Sequence, residues 1–204
     1  NNAIHVNAVI NNRDSLHLHF DIGSTDFRIT KEAILKKTQL LANQPQALAG
    51  KNKPDYNNLE KVVKLQMGNL VWENPDISPA NVAAHEMDGR FGWHVFDGKI
   101  IEINYDKSII VIHPTLPKNR TGFVKSKIKF IRSLFCVAAT IEIGTNNYTG
   151  DFLFDTGSNQ AVILDSSWAS KQNFPKDLKL IKKSSFRDGA GRVYETNTVS
   201  VPFL

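Results

Sequence analysis

The sequence predicts a mainly β protein with two lobes and short helices, and a repeated segment is the main reason. Residues 20–24 read FDIGS, and residues 154–158, which lie 134 positions later, read FDTGS. A short apolar run precedes each copy, as expected for a β-strand that ends at the repeat. A candidate helix N-cap follows each copy, at Thr30 and at Asp165. A repeat of this size indicates two related lobes rather than the units of a solenoid.

The first lobe begins with a predicted hairpin whose second strand ends at an aspartate. Residues 4–10 and 15–20 alternate between apolar and polar positions, and residues 11–14 (NNRD) favour a turn. Because strand residues two apart share a face, alternate residues of the second strand face a core: Leu16, Leu18 and Phe20. The residues between and after them project to the other side: His17, His19 and Asp21. The hairpin therefore carries the Asp21 carboxylate to a turn at Gly23.

The remaining elements follow the same alternation of strands and turns. In the first lobe we predict a helix at 31–42, a pair of strands at 61–67 and 70–72, and a hairpin at 99–105 and 108–113. Residues 114–121 contain two prolines and form the best linker, so the predicted domains are residues 1–116 and 117–204. In the second lobe, strands are predicted at 123–131, 133–143 and 151–155. The expected core positions are Leu16, Leu18, Phe20, Ile29, Ile101, Ile103, Phe154 and Ile163.

Composition and charge argue against a membrane-spanning helix and against a nucleic-acid-binding protein. Of 204 residues, 41% are hydrophobic and 22% are charged, which is ordinary for a globular protein. No apolar run approaches the roughly 20 residues that a membrane-spanning helix needs. The net charge is +5, but no nucleic-acid recognition motif accompanies the lysine clusters, so we expect no nucleic-acid partner. Cys136 is alone in an apolar run and is expected to be a buried thiol.

The two Asp-x-Gly-Ser segments resemble the active-site motif of aspartic proteases of the pepsin and retroviral-protease type. Residues 87–93 (MDGRFGW) and 100–106 (IIEINYD) resemble the Asp-Gly-x-x-Gly segment and closing strands of a lobe in bacterial secreted aspartyl proteases. The resemblance covers most of the chain. It implies a two-lobed acid-protease β-barrel fold with a complete first lobe. The second lobe ends at Leu204 before an equivalent segment, so we expect it to be incomplete.

The resemblance implies an aspartic endopeptidase that acts on peptides or proteins. Asp21 and Asp155 would be the catalytic pair, sharing one proton because two close carboxylates do not both ionise easily. The charged member would activate a water, and the protonated member would polarise the substrate carbonyl. This chemistry needs no metal and no cofactor. The resemblance also suggests a secreted or periplasmic bacterial protein.

Several residues are expected to support the pair or to cover it. By resemblance, the hydroxyls of Ser24 and Ser158 would bind the carboxylates, although serines in such turns are as often simply turn-forming. Thr156 would donate its hydroxyl across to the other aspartate loop, and Gly23 and Gly157 would form the turns. A hairpin tip in the second lobe is the flap candidate: Asp188, Gly189, Ala190 and Gly191.

One departure from the family pattern favours an alternative. Ile22 stands where the first loop would carry the counterpart of Thr156, and it has no hydroxyl. Half of the mutual brace between the loops is therefore expected to be missing. A catalytically impaired module that keeps the protease fold to bind peptides or proteins is the second hypothesis.

A metal-dependent hydrolase is the third hypothesis. His17, His19 and Asp21 lie on one predicted strand face as His-x-His-x-Asp, a plausible beginning of a zinc or iron site. The bland interpretation is two polar side chains on a half-exposed strand. The second copy of the repeat has no histidines at these positions, so we predict no metal site.

Overall fold

The computed structural model describes residues 3–158, 160–187 and 192–201. The chain is mainly β, as predicted, and its strands form several separate sheets. None of the sheets within these described ranges closes into a barrel, in contrast to the barrel expected from the resemblance. No helix in the same ranges is both long and apolar enough to cross a membrane.

The chain divides into two compact units, which are described separately. The first unit comprises Asn1–Val137 and Leu153–Asn159, and the second comprises Ala138–Phe152 and Gln160–Leu204. The units are defined by which segments pack against each other. The predicted lobes, 1–116 and 117–204, were instead defined by the sequence repeat, so the boundary between residues 116 and 117 stays a prediction.

The first unit is built on a seven-stranded sheet. Its strands, in chain order, are β1 (Ile4–Ile10), β2 (Asp14–Phe20), β3 (Phe27–Thr30), β4 (Lys64–Met67), β5 (Leu70–Glu73), β6 (Ser78–Ala80) and β7 (Gly89–Phe91). The order across the sheet is β5-β4-β1-β2-β7-β3-β6. β1 and β2 form the predicted antiparallel hairpin, with Asn11 and Asn12 in the left-handed region at the turn. β7 lies between β2 and β3, parallel to the first and antiparallel to the second.

Shorter elements complete this unit. They are a hairpin of β8 (Ile100–Asn104) and β9 (Ile109–His113), the strand β10 (Ile128–Ile131), which pairs with the beginning of β11 (Leu134–Ile143), and the helices α1 (Lys31–Lys37) and α2 (Pro45–Leu48). Single 3₁₀ turns occupy Ala84–Glu86 and Trp93–Phe96. The Thr30 side chain accepts a hydrogen bond from the Ala33 N–H at 3.1 Å, as an N-cap should.

Helix α1 is shorter than the predicted span of 31–42. It ends at Lys37 because Thr38 adopts an extended backbone and donates its hydroxyl to the Ile34 carbonyl at 2.8 Å. Leu40 and Leu41, which the prediction assigned to the helix, lie beyond it and are buried in the core.

The core of the first unit lies on one face of the sheet. Leu16, Leu18, Phe20 and Ile29 are buried there, as predicted. Ile101 and Ile103 are only partly buried and pack against its edge. Phe154 was expected in a core but is 52% exposed. Phe20 packs against two aromatic rings, whereas Phe154 makes no ring contact in the described part of the chain.

The second unit has its own small core. It contains the end of β11, most of β12 (Asn146–Leu153), the helix α3 (Ser166–Lys171) and the hairpin of β13 (Leu180–Arg187) and β14 (Val193–Val199). Ile143, Tyr148 and Phe174 form the core. Asp165 caps α3 by accepting from the Trp168 N–H at 2.9 Å. Ile163 was expected to be buried but is 48% exposed, since residues 161–164 form no strand.

Candidate active site

Two aspartates meet at the ends of two strands, and both belong to the first compact unit. Asp21 follows β2, and its backbone N–H donates to the Phe91 carbonyl at 3.0 Å. Asp155 follows β12, where the Phe154 N–H donates to the Phe135 carbonyl at 2.9 Å. Each aspartate is therefore attached to a strand whose end is fixed by a neighbouring segment.

The two aspartate loops close with the same turn. In the first loop, defined as residues 20–24, the Ser24 N–H donates to the Asp21 carbonyl at 3.0 Å. In the second loop, residues 154–158, the Ser158 N–H donates to the Asp155 carbonyl at 3.4 Å. The repeated sequence thus produces a repeated backbone hydrogen bond.

Two glycines allow the loops to approach each other. A Cβ atom built on Gly23 would lie 2.7 Å from Cγ of Asp155, and one on Gly157 would lie 2.8 Å from Cγ of Asp21. Neither glycine has a positive φ, so the need for glycine here is space rather than backbone freedom. Each carboxylate lies against the glycine of the opposite loop. The two carboxyl groups are close enough to hydrogen-bond each other.

Thr156 ties the second loop to the first. Its hydroxyl donates to the Phe20 carbonyl at 2.8 Å and accepts from the Ile22 N–H at 2.9 Å. The side chain is buried, with 7% of its surface exposed. The first loop contributes only backbone groups to this contact, so the isoleucine at position 22 does not prevent it. Ile22 has no hydroxyl with which to make the reciprocal contact.

The environment of Asp21 favours its protonated form. Burial, followed by the negative charge of Asp155, raises the pKa of Asp21 to about 6. The Arg90 guanidinium acts in the opposite direction, with its Nη1 atom 3.9 Å from Asp21 Oδ2. Asp155 is exposed and accepts a hydrogen bond from the Gly157 N–H at 2.8 Å. The site therefore combines a half-buried carboxyl group on Asp21 with an exposed one on Asp155.

Ser24 does not bind the Asp21 carboxyl group as the resemblance implied. Its hydroxyl donates to Asp26 Oδ1 at 2.7 Å, and a hydroxyl has only one proton to donate. Asp26 also binds Arg28, and Arg90 Nη2 lies 3.3 Å from Asp26 Oδ1. Although burial opposes it, the hydrogen bonds from Ser24 and Arg28 lower the pKa of Asp26.

Sequence reasoning missed this charged network of Asp26, Arg28 and Arg90. A signal was present for Arg90, which alternates with Gly89 and Phe91 along β7. Because those neighbours face the core, the arginine side chain lies on the same sheet face as Asp21. Asp26 and Arg28 lie a few residues after the first loop, and the sequence around them did not indicate that Arg90 would join their network.

The two histidines of β2, His17 and His19, contact different partners. His17 is exposed and its Nδ1 lies 2.7 Å from Asn7 Oδ1. His19 is buried, and its Nε2 lies 3.3 Å from the Thr156 carbonyl. Within residues 3–158, 160–187 and 192–201, no group of three or more His, Cys, Asp or Glu side chains is arranged to hold a metal ion. The flap candidates Asp188, Gly189, Ala190 and Gly191 lie outside the described residues.

An apolar pocket of about 310 Å³ lies beside the aspartate loops in the same unit. Its wall includes residues that directly flank the aspartates: Phe20, Ile22 and Phe154. Aromatic side chains from other segments complete it, including Trp93, Phe130 and Phe135. A cavity of this size suits a small apolar group.

Comparison with known proteins adds no family assignment, because no protein-family model and no curated protein matches this chain.

Proposed function

We propose that this protein is an aspartic endopeptidase in which Asp21 and Asp155 activate a water molecule. One observation carries the proposal: each carboxylate lies against the glycine of the opposite loop, which brings the two acids together. Two carboxyl groups in contact hold one proton more tightly than either would alone. A pair that shares one proton is suited to acid and base catalysis of peptide hydrolysis.

The different environments of the two aspartates suggest which is the general acid and which is the general base. Asp21 is the more buried group and has the raised pKa, so it carries the proton and polarises the substrate carbonyl. Asp155 is exposed and accepts the proton from the attacking water. As the water adds to the carbonyl carbon, Asp21 passes its proton to the carbonyl oxygen, which gives a tetrahedral diol. The proton taken by Asp155 then passes to the leaving nitrogen as the C–N bond breaks, and Asp21 regains its own proton.

The proposed fold is the two-lobed acid-protease architecture of the pepsin and retroviral-protease type. It is supported by the repeated order of hairpin, aspartate loop and capped helix, and by the brace that Thr156 makes to the first loop. The proposed substrates are peptides or proteins. A secreted or periplasmic location in a bacterium is part of the same proposal.

A peptide-binding module without catalysis is the second candidate. Two observations favour it: Ile22 offers no hydroxyl to the second loop, and the Arg90 guanidinium lies near Asp21. A positive charge at this position opposes the protonation of Asp21 that catalysis requires. Both candidates use the same surface, but they differ in whether the Asp21 proton matters.

Peptidase assays on the intact protein separate these candidates. We expect cleavage at acidic to near-neutral pH, declining as the pH rises through about 6 and Asp21 loses its proton. Asp21→Asn and Asp155→Asn should each abolish cleavage without unfolding the protein. Asp106→Asn, in the exposed turn between β8 and β9, is the matched control and should retain full activity.

Three outcomes would decide against the aspartic endopeptidase. Undiminished turnover in either asparagine variant contradicts the aspartate pair. An absence of cleavage at every pH, with peptide binding retained in Asp21→Asn, supports the binding module. Loss of cleavage on addition of a chelator would instead favour the metal-dependent hydrolase.

A further inference from the structure

A buried histidine on β2, His19, contacts the backbone of the second aspartate loop. His19 lies on β2, two residues before Asp21, and only 1% of its surface is exposed. Its Nε2 atom is 3.3 Å from the Thr156 carbonyl. Because a carbonyl can only accept, this nitrogen must carry the proton when the ring is neutral. Nδ1 is then the bare nitrogen, and no described residue offers it a hydrogen-bond partner.

Two further imidazoles surround His19. The ring of His85 is 4.8 Å from it and perpendicular to it, and the ring of His5 is 6.3 Å away. His85 reaches this position from a left-handed backbone with φ of 59°, an uncommon conformation that its surroundings must hold in place. Its Nε2 is also buried without a partner among the described residues. This group of His5, His19 and His85 is called the histidine cluster below.

We propose that His19 is a positioning residue that holds the second aspartate loop through the Thr156 carbonyl, and that His5 and His85 keep it neutral in mild acid. The part of the proposal that concerns cleavage rests on the proposed peptidase function. The positioning itself does not, because it concerns the backbone of residues 156 and 157.

The charges around His19 explain why its neutral form persists. The titratable and charged groups nearby are, element by element, His5 on β1, His17 on β2, Asp21 just after β2, His85 before β7, Arg90 on β7, and Asp155 in the second loop. Of these, the charges of His5, His85 and Asp155 act on the pKa of His19. Burial is the largest influence and lowers the pKa of His19, and positive charge on His85 and His5 lowers it further. The Thr156 carbonyl and the Asp155 carboxylate oppose this.

Protonation of His19 would release the loop. A second proton would place an N–H on Nδ1, which makes no hydrogen bond to any described residue. It would also place a full charge in a buried site. Opening the contact would let water reach the ring. Thr156 would then lose one of the contacts that fix the loop carrying Asp155. The acid limit of activity is therefore set by His19 and not only by the carboxyl pair.

Nuclear magnetic resonance on the intact protein tests the positioning without requiring activity. In the wild type, the backbone amide signals of Thr156 and Gly157 should move with pH, with the same midpoint as the His19 ring. His19→Gln retains a donor but cannot titrate, so the part of this movement that shares the His19 midpoint should vanish. His17→Gln is the matched control on the same strand face and should leave the midpoint unchanged. The same titration of the Asp21→Asn variant shows how much of the movement comes from the Asp21 proton.

The neighbouring histidines give a graded test that leaves His19 in place. His85→Gln should move the midpoint to higher pH, and His5→Gln should move it in the same direction by less, because its ring is farther away. Unchanged midpoints in both variants would overturn the role of the cluster. Persistence in His19→Gln of the Thr156 and Gly157 movement with the wild-type His19 midpoint would overturn the positioning role. If that variant does not fold, the two neighbouring variants decide alone.

Cleavage assays then separate this inference from the proposed function. His19→Phe removes the donor and should lower kcat/KM by about tenfold, mainly through kcat, since one hydrogen bond positions the loop. His19→Gln should restore most of that loss and extend activity to lower pH. Equal kcat/KM in wild type and His19→Phe would contradict the inference. A wild-type protein that cleaves no peptide would contradict the peptidase, while the resonance titration would still decide the role of His19.

Discussion

The two aspartate loops share a sequence and a local backbone but differ in what surrounds them. Each follows a hairpin, closes with a hydrogen bond from serine N–H to aspartate carbonyl, and precedes a helix with a side-chain N-cap. Phe20, before the first aspartate, is fully buried, whereas the equivalent Phe154 is 52% exposed. Local sequence therefore determines the turn and the cap, and distant segments determine the burial.

The largest expected effect tests that difference in burial directly. Phe20→Ala should destabilise the protein by about 3–5 kcal/mol, because it opens a cavity beside Phe91 and Phe96. Phe154→Ala should cost only about 1 kcal/mol, because about half of its side chain already contacts solvent. Urea denaturation of both variants gives the comparison. Equal costs would mean that the two loops are equally supported.

The charge state of Asp21 gives the next largest effect. Its pKa is raised from 3.8 to about 6, so the folded protein binds this proton more tightly than the unfolded chain. Its contribution to stability is fully present below pH 3.8 and is lost as the pH rises through about 6. Asp21→Asn, which has no charge to bury, should therefore stabilise the protein by up to about 3 kcal/mol more at pH 8 than at pH 3.

Denaturation of wild type and variant across this pH range measures the effect. Asp106→Asn serves again as the exposed control and should show no such trend. A constant difference between wild type and Asp21→Asn at every pH would show that burial of Asp21 does not raise its pKa.

The two glycines sharpen the comparison between the loops. Gly157→Ala would push a methyl group against the half-buried Asp21, which has little room to move, and should cost about 2–3 kcal/mol. Gly23→Ala would push against the exposed Asp155, which can rotate away, and should cost about 1 kcal/mol. Thermal unfolding of the two variants tests the order. The reverse order would indicate that Asp155 is the more constrained acid.

The helix caps are expected to differ least. Thr30→Ala and Asp165→Ala each remove one hydrogen bond to the first turn of a helix, and each should cost about 1 kcal/mol. Urea denaturation should give similar values for the two variants. A much larger effect at one cap would show that the similarity of the two copies does not extend to their helices.

The features that the sequence predicted are those that depend on near neighbours. The β1–β2 hairpin and the N-caps at Thr30 and Asp165 follow from residues a few positions apart. The alternation along β2 also predicted the burial of Leu16, Leu18 and Phe20, but it did not predict that His19 is buried on the opposite face. These patterns act locally and are visible in a single sequence.

The features that could not be predicted from the sequence mostly depend on contacts between distant residues. β7 pairs with both β2 and β3, and this insertion covers Phe20 and brings Arg90 beside Asp21. No pattern near Phe154 indicates whether a similar strand covers it. The partner of the Ser24 hydroxyl is an exception, because Asp26 is only two positions away and was missed as a competitor of Asp21 for that hydroxyl.

The Thr156 contact has a consequence for biosynthesis. The hydroxyl that fixes the first loop at Ile22 lies 134 residues farther along the chain. At about 5–20 residues per second, a ribosome needs roughly 7 to 27 seconds to make the intervening segment. During that interval the first hairpin can form, but Asp21 lacks both its partner acid and its brace. The nascent chain therefore carries an unfinished site, and the pair of aspartates is complete only when the second loop emerges and docks.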